Sequence, residues 1–212
     1  MDTAREYLEK TKSAAQSLLA GIDSYFDVLR GAPSPVLVGS YTSEATREAW
    51  MRNNHASIAA SLAAQRAFVS EAFAMANLSG ALLQIAAFGI RSYSTNQDVP
   101  QPLAYLNLSA QQRAFCVGRT VRGVPLGLIV YAARNQYNHM DDDTLREPSS
   151  AIFERLATGH GIESEEPIRD PAYDLPNPRR PMCLANNVTA LIDWRNYESY
   201  EADMKRMLDC HD

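Results

Sequence analysis

Apolar residues recur at helical spacing over most of this 212-residue chain, and this periodicity constrains its fold more than any other feature. In the first segment they lie three or four positions apart, as one face of an α-helix requires. Thr3 and Glu6 have the spacing of a capping box, and Gly31 follows the last apolar position. A helix is therefore predicted over residues 3–29, with an apolar face formed by Ala15, Leu18, Leu19, Ile22, Tyr25, Phe26 and Leu29.

The same spacing predicts further helices along the chain. A long one begins near Ser43 and runs to about Met75, and an apolar stretch that includes Phe88 continues it as a buried helix to Gly89. A short helix follows the capping pair Ser109 and Gln112, and an apolar one opens near Pro125. Because strand signals are sparse, an all-α, antiparallel bundle of about five helices is the expected fold.

These elements suggest one domain with three parts. Residues 1–160 form the helical core, in which the apolar helix occupies about residues 124–142. Residues 161–188 are acidic and then rich in proline, which is typical of an irregular surface segment. Residues 189–209 are expected to form a C-terminal helix that packs on the same domain.

Length and cysteine usage indicate the class of protein. A chain of 212 residues can bury a full core without disulfide or metal support. No uninterrupted apolar run reaches the roughly 18 residues of a membrane span, and the N-terminus lacks the apolar core of a signal peptide. Cys116, Cys183 and Cys210 lie far apart in the sequence. We therefore expect a cytoplasmic protein with reduced thiols and no membrane association.

The charge argues against a broad surface that coats nucleic acid, because the formal net charge is −5. The basic residues are nevertheless skewed. Only Lys10, Lys12 and Lys205 are lysines, so 20 − 3 leaves 17 arginines. Two explanations stay open: arginine suits bidentate phosphate contacts, and GC-rich coding also favours arginine.

The apolar helix turns abruptly polar at Arg134, and this is the chemically informative stretch of the chain. At about 100° per residue, Arg134 and Asn138 share one stripe of the helix, while Asn135 and His139 share the next. All four side chains fall within an arc of about 140°. Gln136 and Tyr137 lie outside it. One helix face would therefore present a cation, two amides and an imidazole.

These groups suit cleavage of a phosphodiester. An imidazole can accept the proton of a ribose 2′-hydroxyl or donate one to the leaving oxygen. A guanidinium can hold the phosphate and neutralise the charge of the transition state. Because one helix supplies a single imidazole, efficient acid–base catalysis would need a second copy of the chain in a symmetric dimer.

The sequence Ala133-Arg134-Asn135-Gln136-Tyr137-Asn138-His139 resembles the signature of the HEPN superfamily, in which an Arg and a polar residue precede three variable positions and a His. HEPN proteins are bundles of four or five helices, and many are metal-independent endoribonucleases that act as toxins or in phage defence. The resemblance implies that Arg134, His139 and Asn135 are catalytic, and that the motif helix forms a homodimer. It covers this motif and the general helicity, not the whole chain.

The expected substrate is single-stranded or looped RNA, because in-line attack of a 2′-oxygen needs a flexible backbone. Asn138, Arg119 and Arg122 are candidates for binding it, although the two arginines also fit a solvated connection. No cofactor or metal is expected. The family likeness further implies an inhibitory, antitoxin-like protein partner.

Other interpretations of the motif stay open. It can be a solvated helix end, in which Asp141, Asp142 and Asp143 pair with the basic residues. A metal site formed by His139, these aspartates and His160 is a weaker alternative, since the spacing matches no known ligand pattern. The chain can also be a non-catalytic helical module that binds nucleotide, RNA or a protein partner, or a purely architectural protein.

Overall fold

The fold is that of a computed structural model, which describes residues 3–36, 43–142, 144–159 and 168–209. Over these residues the chain is mostly helical, with a single two-stranded sheet. The prediction of an all-α protein is therefore confirmed. The helices are more numerous than predicted, and those after the first are mostly shorter. They are α1 Ala4–Arg30, α2 Glu44–Asn53, α3 His55–Ser70, α4 Ala72–Tyr93, α5 Ala110–Arg113, α6 Leu126–Asn138, α7 Ser149–Thr158, α8 Ala185–Leu191 and α9 Tyr197–Met207, with a 3-10 helix at Gln101–Leu106.

The first helix forms as its periodicity predicts. Thr3 caps α1, because its hydroxyl oxygen accepts a hydrogen bond from the Glu6 amide at 3.1 Å. The helix packs along α4 in the antiparallel sense, since Tyr7 lies beside Gly89 and Gly21 lies beside Leu78.

The long second helix of the prediction is three helices in the structure. The chain leaves helical geometry at Asn54 and again at Glu71. Among α2 and α3, only Ala64 is fully buried, so little tertiary packing favours one continuous helix across these points. Ser79 and Gly80 lie buried in the middle of α4, and the helix continues through both of them.

Helix α4 is the central element of the fold. It packs against α1, α6 and α8, and its length and composition would also allow it to cross a membrane. However, 56% of its most apolar stretch is buried inside the domain, which is the arrangement of a core helix.

Helix α6 follows a short hairpin that the sequence did not predict. Strands β1 Thr120–Val121 and β2 Val124–Pro125 pair antiparallel, and the turn places Arg122 and Gly123 at positive φ. The helix runs antiparallel to α4, with Tyr137 on Gly80 and Arg134 on Gln84. From Leu126 to Ala133 every side chain except Tyr131 is fully buried, so the apolar half of α6 belongs to the core, as expected.

The C-terminal part differs from its prediction. Helix α8 begins at Ala185, inside the segment expected to be irregular, and a turn around Asp193 separates it from α9. The described residues of the proline-rich segment are tied to the core. Tyr173 is buried, and the carbonyl oxygen of Met182 accepts a hydrogen bond from Gln136 at 2.7 Å.

Candidate functional site

The motif residues emerge where α6 leaves the core. Helix α6 ends at Asn138, and His139 is its C-terminal cap with non-helical backbone angles of φ −124° and ψ 30°. The predicted helix to about residue 142 is therefore too long. Asn135 and Asn138, both poor helix formers, lie in this last turn, and residues 139–142 continue as turns.

Arg134 is half-buried and held by amide groups. Its Nε donates to Oε1 of Gln84 at 2.9 Å, and its Nη1 donates to Oδ1 of Asn135 at 3.2 Å. Within the described residues no carboxylate forms an ion pair with Arg134. Its position is thus fixed by neutral acceptors, and its positive charge is left available to an anion.

The two asparagines are also held in place. Nδ2 of Asn135 donates to Oγ of Ser149, a buried residue that opens α7, at 3.0 Å. Oδ1 of Asn138 accepts a hydrogen bond from Nε2 of Gln84. A single glutamine of α4 therefore binds both Arg134 and Asn138, the two residues that the helical spacing places on one stripe.

His139 lies at the protein surface, with 58% of its side chain exposed. Its Nδ1 is 2.9 Å from Oδ2 of Asp142, so Nδ1–H donates to the carboxylate and Nε2 is the nitrogen left to accept a proton. A pairing of the motif with the acidic run is thus present for His139, as the solvated helix end predicts, but not for Arg134 among the described residues.

Two adjacent cavities open along the motif. The first, of about 570 Å³, is lined by Arg134 and Asn135, and the second, of about 330 Å³, by Asn135 and His139. Both are also lined by Tyr131, so the two cavities are neighbours, and we refer to them together as the groove and to each as one half of it. The structure brings Arg134, Asn135 and His139 to this groove, but the guanidinium and the imidazole lie in different halves. Asn138, which was predicted to bind substrate, lines neither half.

Arg119 and Arg122, the other predicted binding residues, are engaged elsewhere. Arg119 pairs with Asp203, with Nη2 and Oδ2 3.0 Å apart. Arg122 pairs with Asp170 at 2.8 Å and lies over the ring of Tyr173. Neither lines a half of the groove. Both arginines therefore have structural partners, and neither belongs to the groove.

Metal and thiol chemistry find little support in the described residues. No group of three or more His, Cys, Asp or Glu side chains there is placed to hold a metal ion; Asp143 and His160 of the alternative metal site lie outside the described residues. Burial raises the pKa of Cys116 to about 11 and also raises that of Cys183. These thiols are protonated at neutral pH, as structural cysteines are.

The sequence patterns did not reveal several residues of the groove. Gln84 and Ser149 hold the motif, and Phe88, Arg91 and Gln111 line the larger cavity. A usable signal existed for Gln84, which is an amide inside an otherwise apolar stretch of helix. Phe88 was expected to be buried but is 45% exposed.

Comparisons with known proteins add no relative. The chain matches no protein-family profile, no curated protein sequence and no solved structure.

Proposed function

We propose that the protein is a HEPN-type, metal-independent endoribonuclease that cleaves RNA at a site formed by two copies of the chain. The observation that carries the proposal is Arg134, a half-buried guanidinium held by two amides and lining a cavity, with no carboxylate partner among the described residues. An arginine placed in this way is preorganised for a phosphate.

The reaction follows from the groups along the groove. The ribose 2′-oxygen attacks phosphorus while the bond from phosphorus to the 5′-oxygen breaks, which yields a 2′,3′-cyclic phosphate and a 5′-hydroxyl. Nε2 of His139 takes the proton of the 2′-hydroxyl, and a protonated His139 of a second copy donates one to the leaving 5′-oxygen. Arg134 neutralises the charge that develops on the phosphoryl oxygens, and Asn135 orients the substrate. Asn138 lines neither half of the groove, so its part is to hold Gln84.

The need for a second copy has a geometric basis. Within one chain, Arg134 and His139 line different halves of the groove, and one imidazole cannot be acid and base at once. A symmetric homodimer through the motif region would supply a second pair. Such an activity harms its host, so we further propose a cytoplasmic toxin or phage-defence role with an inhibitory protein partner.

A non-catalytic module that binds RNA, nucleotide or protein is the second candidate. The contact of His139 with Asp142 favours it, since both side chains are about 60% exposed, as in an ordinary surface pair. The two candidates predict different chemistry for the same residues.

The decisive experiment compares wild type with His139→Ala and Arg134→Ala on labelled single-stranded RNA in the presence of chelator. The nuclease predicts cleavage with cyclic phosphate ends for wild type only, and toxicity on expression that both substitutions abolish. Intact RNA at high wild-type concentration rules out the nuclease and leaves the binding module. His55→Ala, an exposed histidine of α3 outside the groove, is the matched control and should cleave normally.

A further inference from the structure

We infer that the larger half of the groove is a base-binding subsite, in which a guanidinium lying over an aromatic ring receives the RNA base next to the scissile phosphate. The inference rests on the proposed function for its substrate, and on residues outside the motif for its geometry. Its cavity, of about 570 Å³, has the size of a small-molecule site.

One face of α4 supplies the floor of this subsite. Gln84, Phe88 and Arg91 stand four and three residues apart, so they lie on one stripe of the helix. All three line the cavity that Arg134 also lines. At about 1.5 Å rise per residue, Arg91 lies roughly 10 Å along the helix axis from Gln84, the residue that holds Arg134.

Phe88 and Arg91 form a platform. The guanidinium carbon of Arg91 lies 5.4 Å from the centre of the Phe88 ring, and Tyr7 supports the ring at 5.7 Å between centroids with an interplanar angle of 28°. Guanidinium planes and aromatic rings are the surfaces on which proteins stack single-stranded bases. Arg91 is exposed and has no ion pair or hydrogen bond within the described part of the chain.

A second part of the wall comes from α5, which is tied to α6. Ser109 and Gln112 form a capping box, and Nε2 of Gln112 donates to the hydroxyl of Tyr131 on α6 at 3.0 Å. The adjacent Gln111 lines the cavity, is exposed and has no hydrogen-bond partner among the described residues. Its amide can donate hydrogen bonds to the edge of a base and accept them from it. The cavity therefore combines a stacking surface with a group that can recognise a base through hydrogen bonds.

The test measures binding separately from cleavage. The parent protein is full-length His139→Ala, and the probes are a short fluorescent single-stranded RNA and an abasic strand of the same length, in chelator. Phe88→Ala should weaken binding of the RNA about 5- to 100-fold and change binding of the abasic strand little. Phe73→Ala is the matched control, since Phe73 is also an exposed phenylalanine of α4 but lines neither half of the groove.

Two substitutions separate the plane of Arg91 from its charge. Arg91→Lys keeps the charge and loses the planar group, so it should weaken RNA binding while preserving its salt dependence. Arg91→Ala should weaken binding further and lower the salt slope by about one. Arg66→Ala, at an exposed position of α3, should leave binding of the RNA unchanged.

The outcomes distinguish this inference from the proposed function. If the RNA binds with the predicted dependence on Phe88 and Arg91 but wild type cleaves nothing, the subsite stands and the nuclease fails. If wild type cleaves through His139 while substitution of Phe88 and Arg91 leaves RNA binding unchanged, the subsite is overturned. Absence of RNA binding by the parent overturns it as well.

Discussion

Arg134 of α6 donates through its Nε to the side-chain oxygen of Gln84 on α4 at 2.9 Å. The same glutamine donates to Asn138 through its amide nitrogen, so one residue of the core helix fixes two residues of the motif. The orientation of the guanidinium toward the groove therefore depends on a side chain about 50 residues away in the sequence.

This bridge predicts the effect of replacing Gln84. Gln84→Ala should lower RNA cleavage about tenfold or more, because a small misplacement of a positioned catalytic group is costly. Gln84→Glu should weaken RNA binding further, since a carboxylate at this position would neutralise Arg134. Cleavage rates and RNA affinities of the two variants, with melting curves to show equal folding, test this; a Gln84→Glu protein of normal affinity would contradict it.

The pairing of His139 with Asp142 gives a second prediction. Asp142→Ala removes the acceptor of Nδ1–H, so kcat should fall about tenfold, while loss of a negative charge beside the groove should lower KM. Asp141→Ala removes a neighbouring negative charge that has no hydrogen bond to His139, so it should lower KM and leave kcat unchanged. Steady-state kinetics separate the two effects, and equal kcat values for both variants would show that Asp142 does not position the imidazole.

The motif illustrates what local patterns can predict. The placement of Arg134 and Asn138 on one stripe follows from helical spacing, and both residues do contact Gln84. The amide of Gln84 inside an apolar stretch was a local signal for that residue, but its pairing with Arg134 was not predictable, because a contact across 50 residues leaves no local pattern. The helix was expected to run to about residue 142, but two asparagines in its last turn compete with helical geometry, and the helix ends at Asn138.

The face of α4 shows a second reason for incomplete prediction. The stretch around Phe88 is apolar almost all round, so its periodicity does not say which side the core covers. In the structure Ala86 and Ile90 are buried, whereas Phe88 opens into the groove. The apolar sequence thus predicts correctly that this helix belongs to the core, but it does not show which of its residues line a cavity.

The buried carboxylate of Asp203 yields a prediction about stability. It accepts hydrogen bonds from Arg119 and from Nε1 of Trp194 at 3.0 Å. Asp203→Ala leaves both donors without their acceptor and should reduce the free energy of unfolding by about 2–4 kcal/mol. Urea denaturation measures this, and Asp23→Ala, which removes an exposed ion pair of α1, should leave the midpoint unchanged.

The same network separates two roles for Arg119. As a structural residue, Arg119→Ala should lower the denaturation midpoint and leave cleavage by the folded fraction unchanged. If Arg119 binds RNA, the Arg119→Ala substitution should instead raise KM and lower the salt slope of RNA binding by about one. The contacts with Asp203 and with the carbonyl oxygen of Ile192 favour the first result.

The crossing of α4 and α6 depends on a glycine. A Cβ atom at Gly80 would lie 2.4 Å from ring atoms of Tyr137, so Gly80→Ala should destabilise the protein by about 1–3 kcal/mol although alanine has the higher helix propensity. Gly21→Ala in α1 is the control, because its nearest neighbour is the flexible end of Leu78 at 3.0 Å. Urea denaturation should show a lower midpoint for the first variant only.

The same substitution links packing to the site. A larger residue at position 80 pushes α6 away from α4, which would lengthen the hydrogen bond between Arg134 and Gln84. Gly80→Ala should therefore lose RNA cleavage even at temperatures where it is fully folded, and the Gly80→Ala/Tyr137→Leu double variant should recover part of both stability and activity, because the smaller side chain relieves the overlap. A folded Gly80→Ala protein with wild-type cleavage would mean that the position of the guanidinium does not depend on the close approach of these two helices.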